Sequence, residues 1–469
     1  MPTPGLMEDG LVRLVPVDSK ILARGFGPGW ECQPADAALQ HRDAAATRAA
    51  LEDFVPDLVV VDHYLLDREW EDEWRGFRLL VIDDLANRQH ACDALLDQTF
   101  GRAEADYRAL VPKQCMMMLG SRFALLRPEF ADLRTQALEK RARTGSIETV
   151  LVNFGGSDIG GLSGPVIEYL LSLEGDFDIL LVCGSSTPTL PALRVLARHP
   201  RVRLETDPER MAMIMLQADL AIGAGGVTAW ERCTMGLPTI LIPVAANQAL
   251  LSENMEQAGA AVIAEDVEGI GPLLSGLQKD FGGWHDLVAG SAALCDGHGA
   301  SRVAAMLTED PVCAMHLRPA THADSLAIWA WRNDPLMRHM SVTQSLVRLP
   351  DHQRWFTAIM SDPQRCLMVG EIAGEPVGVV RFDLDDGTAT VSINVAPAWR
   401  GRSLGGQLLD QGVERYAHSG LAKRLIARVR LENKASRTIF RRSGFQQVGR
   451  SGGFITFEME IPTKETEYG

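Results

Sequence analysis

Long apolar runs are missing from this 469-residue chain, and none of its segments reaches the roughly 20 residues that a membrane-spanning helix needs. No apolar leader core opens it, so no secretory signal and no membrane partner are expected. Clustered thiols are missing too. The eight cysteines (32, 92, 115, 183, 233, 295, 313 and 366) contain no C-x-x-C pair and no metal-ligand spacing. Cys183 and Cys233 lie in apolar runs and read as buried thiols, so a reducing cytoplasm is expected and no metal is implied. Positive charge is in short supply, with 46 Lys and Arg against 61 Asp and Glu, a formal charge of −15. That balance argues against nucleic acid or an anionic membrane as partner. Any phosphate site must then be local, built from backbone N–H groups and a few arginines. Low-complexity tracts and internal repeats are also absent. What is present, 46% apolar and 23% charged residues, is ordinary globular composition. The length suggests about three domains.

Three textures follow one another. From Leu11 to Phe130, short apolar runs at Leu11–Val15, Leu58–Val61 and Leu79–Ile82 read as buried parallel strands, with an Ala-rich helix over Ala37–Phe54. The strand ends carry Asp62-His63-Tyr64 and Asp83-Asp84, where open α/β sheets place ligands. Arg134–Ser146 is polar and basic and reads as a linker. A second α/β block has strands at Thr149–Phe154, Ile179–Cys183, Val202–Leu204, Leu220–Ile222 and Thr239–Ile242. Its helices are expected at Pro165–Leu173, Pro208–Gln217, Thr228–Met235 and Gln248–Ala258. Near Glu309–Met315 the pattern changes. A helix at Asp324–Arg332 precedes strands at Cys366–Ile372, Pro376–Asp383 and Thr388–Val395. A helix at Leu404–Tyr416, a strand at Arg424–Val429 and a helix at Ala435–Ser443 then mark an α+β domain. The expected fold class is α/β: two Rossmann-like lobes over residues 1–140 and 141–310, then an α+β domain over residues 313–463.

The most informative stretch is Leu220-Ala-Ile-Gly-Ala-Gly-Gly-Val-Thr-Ala-Trp-Glu231, followed by Ile240-Leu-Ile-Pro-Val-Ala-Ala-Asn-Gln248. A strand runs into a glycine cluster and a helix opens at once. Free N–H groups and the helix dipole at such a turn suit a nucleotide diphosphate. Thr228-x-x-Glu231 also reads as a capping box, and Gly155-Gly156 as a tight strand-to-helix turn.

Residues 10–306 resemble the UDP-sugar hydrolase of the pseudaminic acid pathway, a relative of two-domain (GT-B) glycosyltransferases. The match runs through Val61-Asp-His-Tyr64, Val81-Ile-Asp-Asp84, Gly120–Phe130, Asn153–Asp158, Gly223–Glu231 and Gly236-Leu-Pro238. The resemblance implies that Gly155, Gly156, Gly225, Gly226 and Thr228 approach the diphosphate. It places the ribose hydroxyls on Glu231 and the phosphates or sugar near Asn247 and Gln248. The family's Gly-x-Gly-His loop, whose histidine is the expected base for water attack at the anomeric carbon, occurs nowhere in this sequence. A start placed too far downstream and true decay to a binding module would both produce that picture. A sheet short of an inner strand is expected to be strained. His63, with Asp62, Asp83 and Asp84, is left as the candidate for activating water, against roles in substrate contact, hydrogen bonding or helix capping.

Residues 314–461 resemble the GNAT superfamily of acetyl-CoA-dependent N-acetyltransferases, on Val391–Arg400, Gly401-Arg-Ser-Leu-Gly-Gly406, Glu432-Asn-Lys-Ala-Ser436 and Gly444-Phe445. The resemblance implies that Val395, Arg400, Gly401, Arg402, Ser403, Leu404, Gly405 and Gly406 surround the CoA pyrophosphate. Ser403 stands where the motif has its first glycine. Asn433 and Ser436 match positions that touch the pantetheine arm. Phe440 stands where many members carry a proton-donating tyrosine. Ser392 and Asn394 offer no carboxylate, leaving Glu432 or an ordered water as base, with a solvated surface charge as the other reading of Glu432. Trp331-Arg-Asn-Asp-Pro335, with Arg338, Ser341, His352 and Trp355, resembles the acetyltransferase of the same pathway; a helix start packed by tryptophans is the alternative. The expectation is a bifunctional enzyme that N-acetylates a UDP-linked amino-sugar and then releases UDP, with acetyl-CoA as cosubstrate. The alternatives are an acetyltransferase beside a UDP-sugar binding module, or one that acetylates a protein amine. The oligomeric state is left open.

Overall fold

The computed structural model describes residue 15 and residues 34–51, 54–158, 160–244, 246–307, 315–372, 375–402 and 404–461. The chain divides into two compact units, Met1–Leu125 with Pro243–Asn254, and Leu126–Ile242 with Met255–Gly469.

In the first unit, β1 (Val59–Val61), β2 (Leu79–Ile82), β3 (Ala94–Asp97) and β4 (Met116–Leu119) form a parallel sheet in that order. β3 is buried at every position, as a strand covered on both faces must be. The helix α1 (Ala37–Leu51) ends three residues short of the expected boundary. Trp70, Trp74, Leu79, Val81, Leu95 and Tyr107 fill the core. The strand expected at Leu11–Val15 lies, except for Val15, outside the described residues.

The second unit opens with the segment expected to be a linker, and that expectation is wrong. Pro128–Arg143 is a 16-residue helix, α2. Arg143 is exposed, but Arg134, Lys140 and Arg141 satisfy carbonyls left over at the ends of other helices. Arg134 donates to Thr234 O at 2.7 Å, Cys295 O at 2.9 Å and Ala292 O at 2.7 Å. Arg141, with no exposed surface, donates to Ala218 O at 2.6 Å and Met215 O at 2.9 Å. Lys140 reaches Asp219 at 2.8 Å. Burial presses the Arg141 guanidinium down to about 10.

After α2 come β5 (Thr149–Asn153), β6 (Asp178–Cys183), β7 (Val202–Thr206), β8 (Leu220–Gly223), β9 (Thr239–Leu241) and β10 (Val262–Ile263). Their order is β10-β9-β8-β5-β6-β7, all parallel. The chain builds outward from β5 on one side and returns to build on the other. Strand order therefore reverses between β5 and β8, and a crevice opens beyond their carboxyl ends. The helices α3 (Val227–Thr234), α4 (Phe281–Leu294) and α5 (Gly299–Leu307) follow in this block.

The last block is a seven-stranded sheet: β11 (His316–Pro319), β12 (Arg365–Ile372), β13 (Glu375–Asp385), β14 (Thr388–Val395), β15 (Arg424–Arg430), β16 (Gln446–Ser451) and β17 (Phe454–Glu460). The order is β11-β12-β13-β14-β15-β17-β16, antiparallel except for β14 with β15. Alternation along β13 divides its core. Val380 and Phe382 pack with Leu408 and Leu409 of α8 (Leu404–Ala417) and Phe440 of α9 (Lys434–Arg442). Val379 points the other way, toward Ile328 and Trp331 of α6 (Ser325–Asn333) and Phe356 of α7 (Leu349–Ser361). This block is joined closely to the preceding one within the second unit. α4 packs on α6, Arg348 pairs with Asp286 at 2.9 Å, and Arg338 donates to Ala258 O at 2.9 Å. Among the described residues no helix is long and apolar enough to cross a membrane.

Candidate functional site

The loops after β5 and β8 leave the same edge of adjacent strands, since Asn153 and Gly223 face each other in register. Gly156 O accepts from Gly184 N at 2.8 Å and Thr187 Oγ1 at 3.0 Å, which ties the loop after β5 to the end of β6. Gly155 has a φ of +89°, a conformation glycine adopts without cost. A Cβ on Gly223 would lie 2.2 Å from Asn153 O and 2.8 Å from Arg232 Nη1. Gly226 is the N-cap of α3 and no side chain caps the helix start. The capping-box reading of Thr228 and Glu231 is thereby excluded: Thr228 lies inside the helix, with its Oγ1 3.4 Å from Arg232 Nη1. The open N–H groups of an eight-residue helix are what a diphosphate needs. One turn on, burial pushes the Glu231 carboxyl up to about 7, against the pull of Arg127 and Arg232. Within the first unit, Gln248 Oε1 accepts from Val244 N at 3.3 Å. The side chain of Asn247 lies outside the described residues.

Also in the first unit, Asp62, His63 and Asp84 collect at the carboxyl ends of the adjacent strands β1 and β2. His63 Nδ1 accepts from Leu65 N at 3.1 Å, which directs Nε2 to carry the proton. Burial lowers its pKa. Burial raises Asp62 and Asp84, and Asp84 accepts the Tyr64 hydroxyl at 3.1 Å. Asp83 is a different kind of residue. It is buried, paired with Arg88 at 2.6 Å and bonded to Tyr107 Oη at 2.8 Å. Burial alone would raise its pKa, but Arg88 holds it below the usual carboxylate range. Its partners belong to the core, so Asp83 anchors this strand end.

In the last block, β14 and β15 keep register only over Thr388–Thr390 and Arg424–Ile426, then part. The wedge between them ends in the turn before α8. Arg400 folds back on that strand, donating to Val395 O at 3.2 Å and pairing with Asp334 at 2.7 Å. Gly401 has a φ of +81°. A Cβ on Gly405 would come 2.7 Å from Ile439 Cδ1, whereas Gly406 faces open space. Arg402 lies 4.8 Å over the Trp399 ring. Leu404 is buried and begins the 14-residue α8; Ser403 lies outside the described residues. The start of a long helix, with glycines before and inside it, fits a pyrophosphate. Across the wedge, Asn433 Oδ1 accepts from Ser436 N at 2.9 Å and caps α9. Glu432 is exposed in the turn before α9. Phe440 is buried against Phe445 and Phe457.

A cavity of about 540 Å³ opens between the sheet and α6 and α7, within the size range of small-ligand pockets. Ser392 and Asn394 of the diverging strand form part of one wall, His352 and Trp355 part of another. Arg332 and Arg381 also line it. Arg332 Nη2 donates to Thr343 O at 2.7 Å while Nη1 is buried without a hydrogen-bond partner, as is Arg381 Nε. His352 Nε2 lies 2.8 Å from Ser325 O, and burial drops its pKa to about 4, so the ring is neutral. Trp331 packs in the core, and Arg338 and Ser341 bond to backbone, so these three do not line the cavity. Arg381 went unnoticed in the sequence. Its signal is an arginine in the Val379 alternation, set between Val380 and Phe382.

Comparison with known proteins matches residues 325–445 to the acetyltransferase (GNAT) family. The L-methionine sulfoximine/L-methionine sulfone acetyltransferase of Pseudomonas paraeruginosa is 31% identical over 141 residues, 29% of this chain and 81% of that protein. The chain therefore belongs to the GNAT family, and its C-terminal domain is an N-acetyltransferase domain. The rest of the chain is similar to sugar-pathway proteins. The UDP-2,4-diacetamido-2,4,6-trideoxy-beta-L-altropyranose hydrolase of Campylobacter jejuni is 29% identical over 170 residues, 35% of this chain and 58% of the hydrolase. The spore coat polysaccharide biosynthesis protein SpsG of Bacillus subtilis is 27% identical over 230 residues, 46% of this chain and 65% of SpsG. The chain thus spans less than two thirds of the length of these two relatives and joins a region homologous to them to a GNAT domain.

Proposed function

We propose that the C-terminal domain transfers the acetyl group of acetyl-CoA to the primary amine of a UDP-linked amino-sugar, and that the preceding region binds a UDP-sugar. The observation that carries the acceptor reading is the pair of unsatisfied guanidinium N–H groups, from Arg332 and Arg381, lining one cavity with Ser392 and Asn394. Buried donors without partners are costly, so the cavity suits a ligand bearing an anion.

The N–H groups around Gly401–Gly406 and the start of α8 would hold the CoA pyrophosphate, and Asn433 and Ser436 would border the pantetheine arm. The donor brings a thioester carbon. The uncharged amine attacks it, an N–C bond forms, the C–S bond breaks and the proton lost from nitrogen ends on the leaving thiolate. Phe440 has no proton to give, so that proton would reach the thiolate through water. Neutral His352 holds one wall without repelling an ammonium group. Exposed Glu432 stays a candidate base through water.

For the UDP-sugar, Gly155, Gly156, Gly225, Gly226 and Thr228 would border the diphosphate. Glu231 would accept the ribose hydroxyls. Hydrolysis of the diacetamido product is the second part of the reading. It is favoured by Asp62 and Asp84, whose carboxyls burial raises at the ends of β1 and β2, beside His63, which would donate through Nε2–H.

A second acceptor is favoured by the methionine sulfone acetyltransferase relative: a small amino acid, whose carboxylate would take the place of a phosphate. One experiment separates these readings. Purified chain with acetyl-CoA is offered a UDP-4-amino-sugar or L-methionine sulfone while CoA thiol and free UDP are followed. Thiol release with the nucleotide sugar alone supports the proposal, and release with the sulfone alone overturns it. In either case Arg381→Met is expected to raise the acceptor KM about tenfold and leave the acetyl-CoA KM unchanged. If UDP appears, His63→Gln should slow it; the absence of UDP reduces the first region to binding.

A further inference from the structure

We propose that Arg302, in the last helix of the nucleotide-binding block, is a positioning residue for the acetyl-CoA loop of the domain that follows. The inference rests on reading Arg400–Gly406 as that loop.

Arg302 lies on α5 and its side chain is only 5% exposed. It pairs with Asp296 of its own block at 2.5 Å and crosses to Glu375, the first residue of β13, at 2.8 Å. Glu375 Oε1 is shared. It also accepts the indole N–H of Trp399 at 3.2 Å. Trp399 closes the short helical turn Pro397–Trp399, directly before Arg400 and Gly401. Its ring carries Arg402 at 4.8 Å, and Arg402 Nη2 lies 3.1 Å from Met306 Sδ, again on α5. One helix of the preceding block therefore touches the loop twice, through Glu375 and Trp399 and through Met306.

The charges agree with a positioning role. Glu375 is the carboxylate between Arg302 and the indole. Arg402 faces burial, the positive Arg302 and the negative Glu375. With Arg302 in place, Glu375 is oriented toward Trp399, and Arg402 stays on its ring instead of taking the carboxylate for itself. Without Arg302, Glu375 is free to pair with Arg402, which would pull the loop off the ring. Arg302 touches neither the cavity lined by Arg332 and Arg381 nor Ser392 and Asn394. Its effect should fall on the donor and spare the acceptor.

The test measures CoA affinity by calorimetry and steady-state kinetics on the full chain. Arg302→Met should raise the acetyl-CoA KM and the CoA Kd about tenfold, with kcat and acceptor KM within about twofold. Arg302→Lys should recover most of the loss. Trp399→Phe keeps the ring under Arg402, loses only the N–H to Glu375, and should weaken CoA about threefold; it also serves if Arg302→Met fails to fold. Unchanged CoA affinity in both Arg302→Met and Trp399→Phe overturns the inference. So does a parallel fall in every kinetic constant that tracks a lowered melting temperature. If the unaltered chain binds no CoA, the reading of the loop fails first, and the inference with it.

Discussion

Two strand-to-helix turns in this molecule carry glycines at or beside a helix start, and they are built on different terms. The turn after β8 stands in a doubly wound parallel sheet, where the site is made by neighbouring strands whose connections leave in opposite directions. Its glycine is hemmed in by main chain, with Asn153 O 2.2 Å from where a Cβ on Gly223 would be. The turn before α8 stands where two parallel strands lose register, and its glycine is hemmed in by the tip of the Ile439 side chain. Backbone cannot yield and an isoleucine methyl can. The first turn is thus fixed by the fold, and the second has room to adjust.

Substitutions should expose this difference. The largest effect is expected at Gly223→Ala, which forces the β5–β8 edge apart and should cost about 3 kcal/mol or more of stability, read as a lowered midpoint in thermal or urea unfolding. If that variant unfolds like the parent and only loses UDP binding, the contrast drawn here is wrong.

Next is Glu231→Gln. A carboxyl held at about 7 in the folded chain, against about 4.5 for an ordinary glutamate, binds its proton more tightly when folded. The stability this contributes is full below about pH 4.5 and is lost as pH rises through 7. The parent should lose roughly 3 kcal/mol relative to the Gln variant between pH 4.5 and 8. Ribose hydroxyls donate to the ionised form, so UDP affinity in the parent should rise from pH 6 to 8, and the Gln variant should show a flat profile. A parallel pH response in both proteins would remove Glu231 from the site.

Gly405→Leu should be smaller: an acetyl-CoA KM raised about tenfold with the unfolding midpoint nearly kept. At Gly406→Ala, where nothing lies within 4 Å of the added methyl, the unfolding midpoint should stay within experimental scatter.

Much of this was legible beforehand for a physical reason. Strands such as Leu79–Ile82 and Thr388–Val395 are apolar by position, so period and burial coincide. The short β3 and the methionine-rich β4 were not legible, because four residues of ALLD or MMML carry no period that separates strand from helix. Glycines of both turns could be read from their place between strand and helix. Arg381 could not, since a charge within a strand declares its purpose only once the cavity beside it is known. The capping reading of Thr228 failed by two residues: Gly226, not Thr228, starts the helix. Arg134–Ser146 misled most. Polar composition predicts solvent exposure, but Arg141 is fully buried because helix ends elsewhere need donors.

That helix decides where the molecule can be cut. α2 lends Arg134, Lys140 and Arg141 to carbonyls at the ends of three helices, Met211–Gln217, α3 and α4. A fragment beginning at the polar stretch after residue 143 would leave those oxygens buried and unpaired, at about 1–3 kcal/mol each. Anyone separating the second α/β block for assay, crystallisation or fusion should place the new terminus before Pro128. The basic residues that look like a hinge are the clasp.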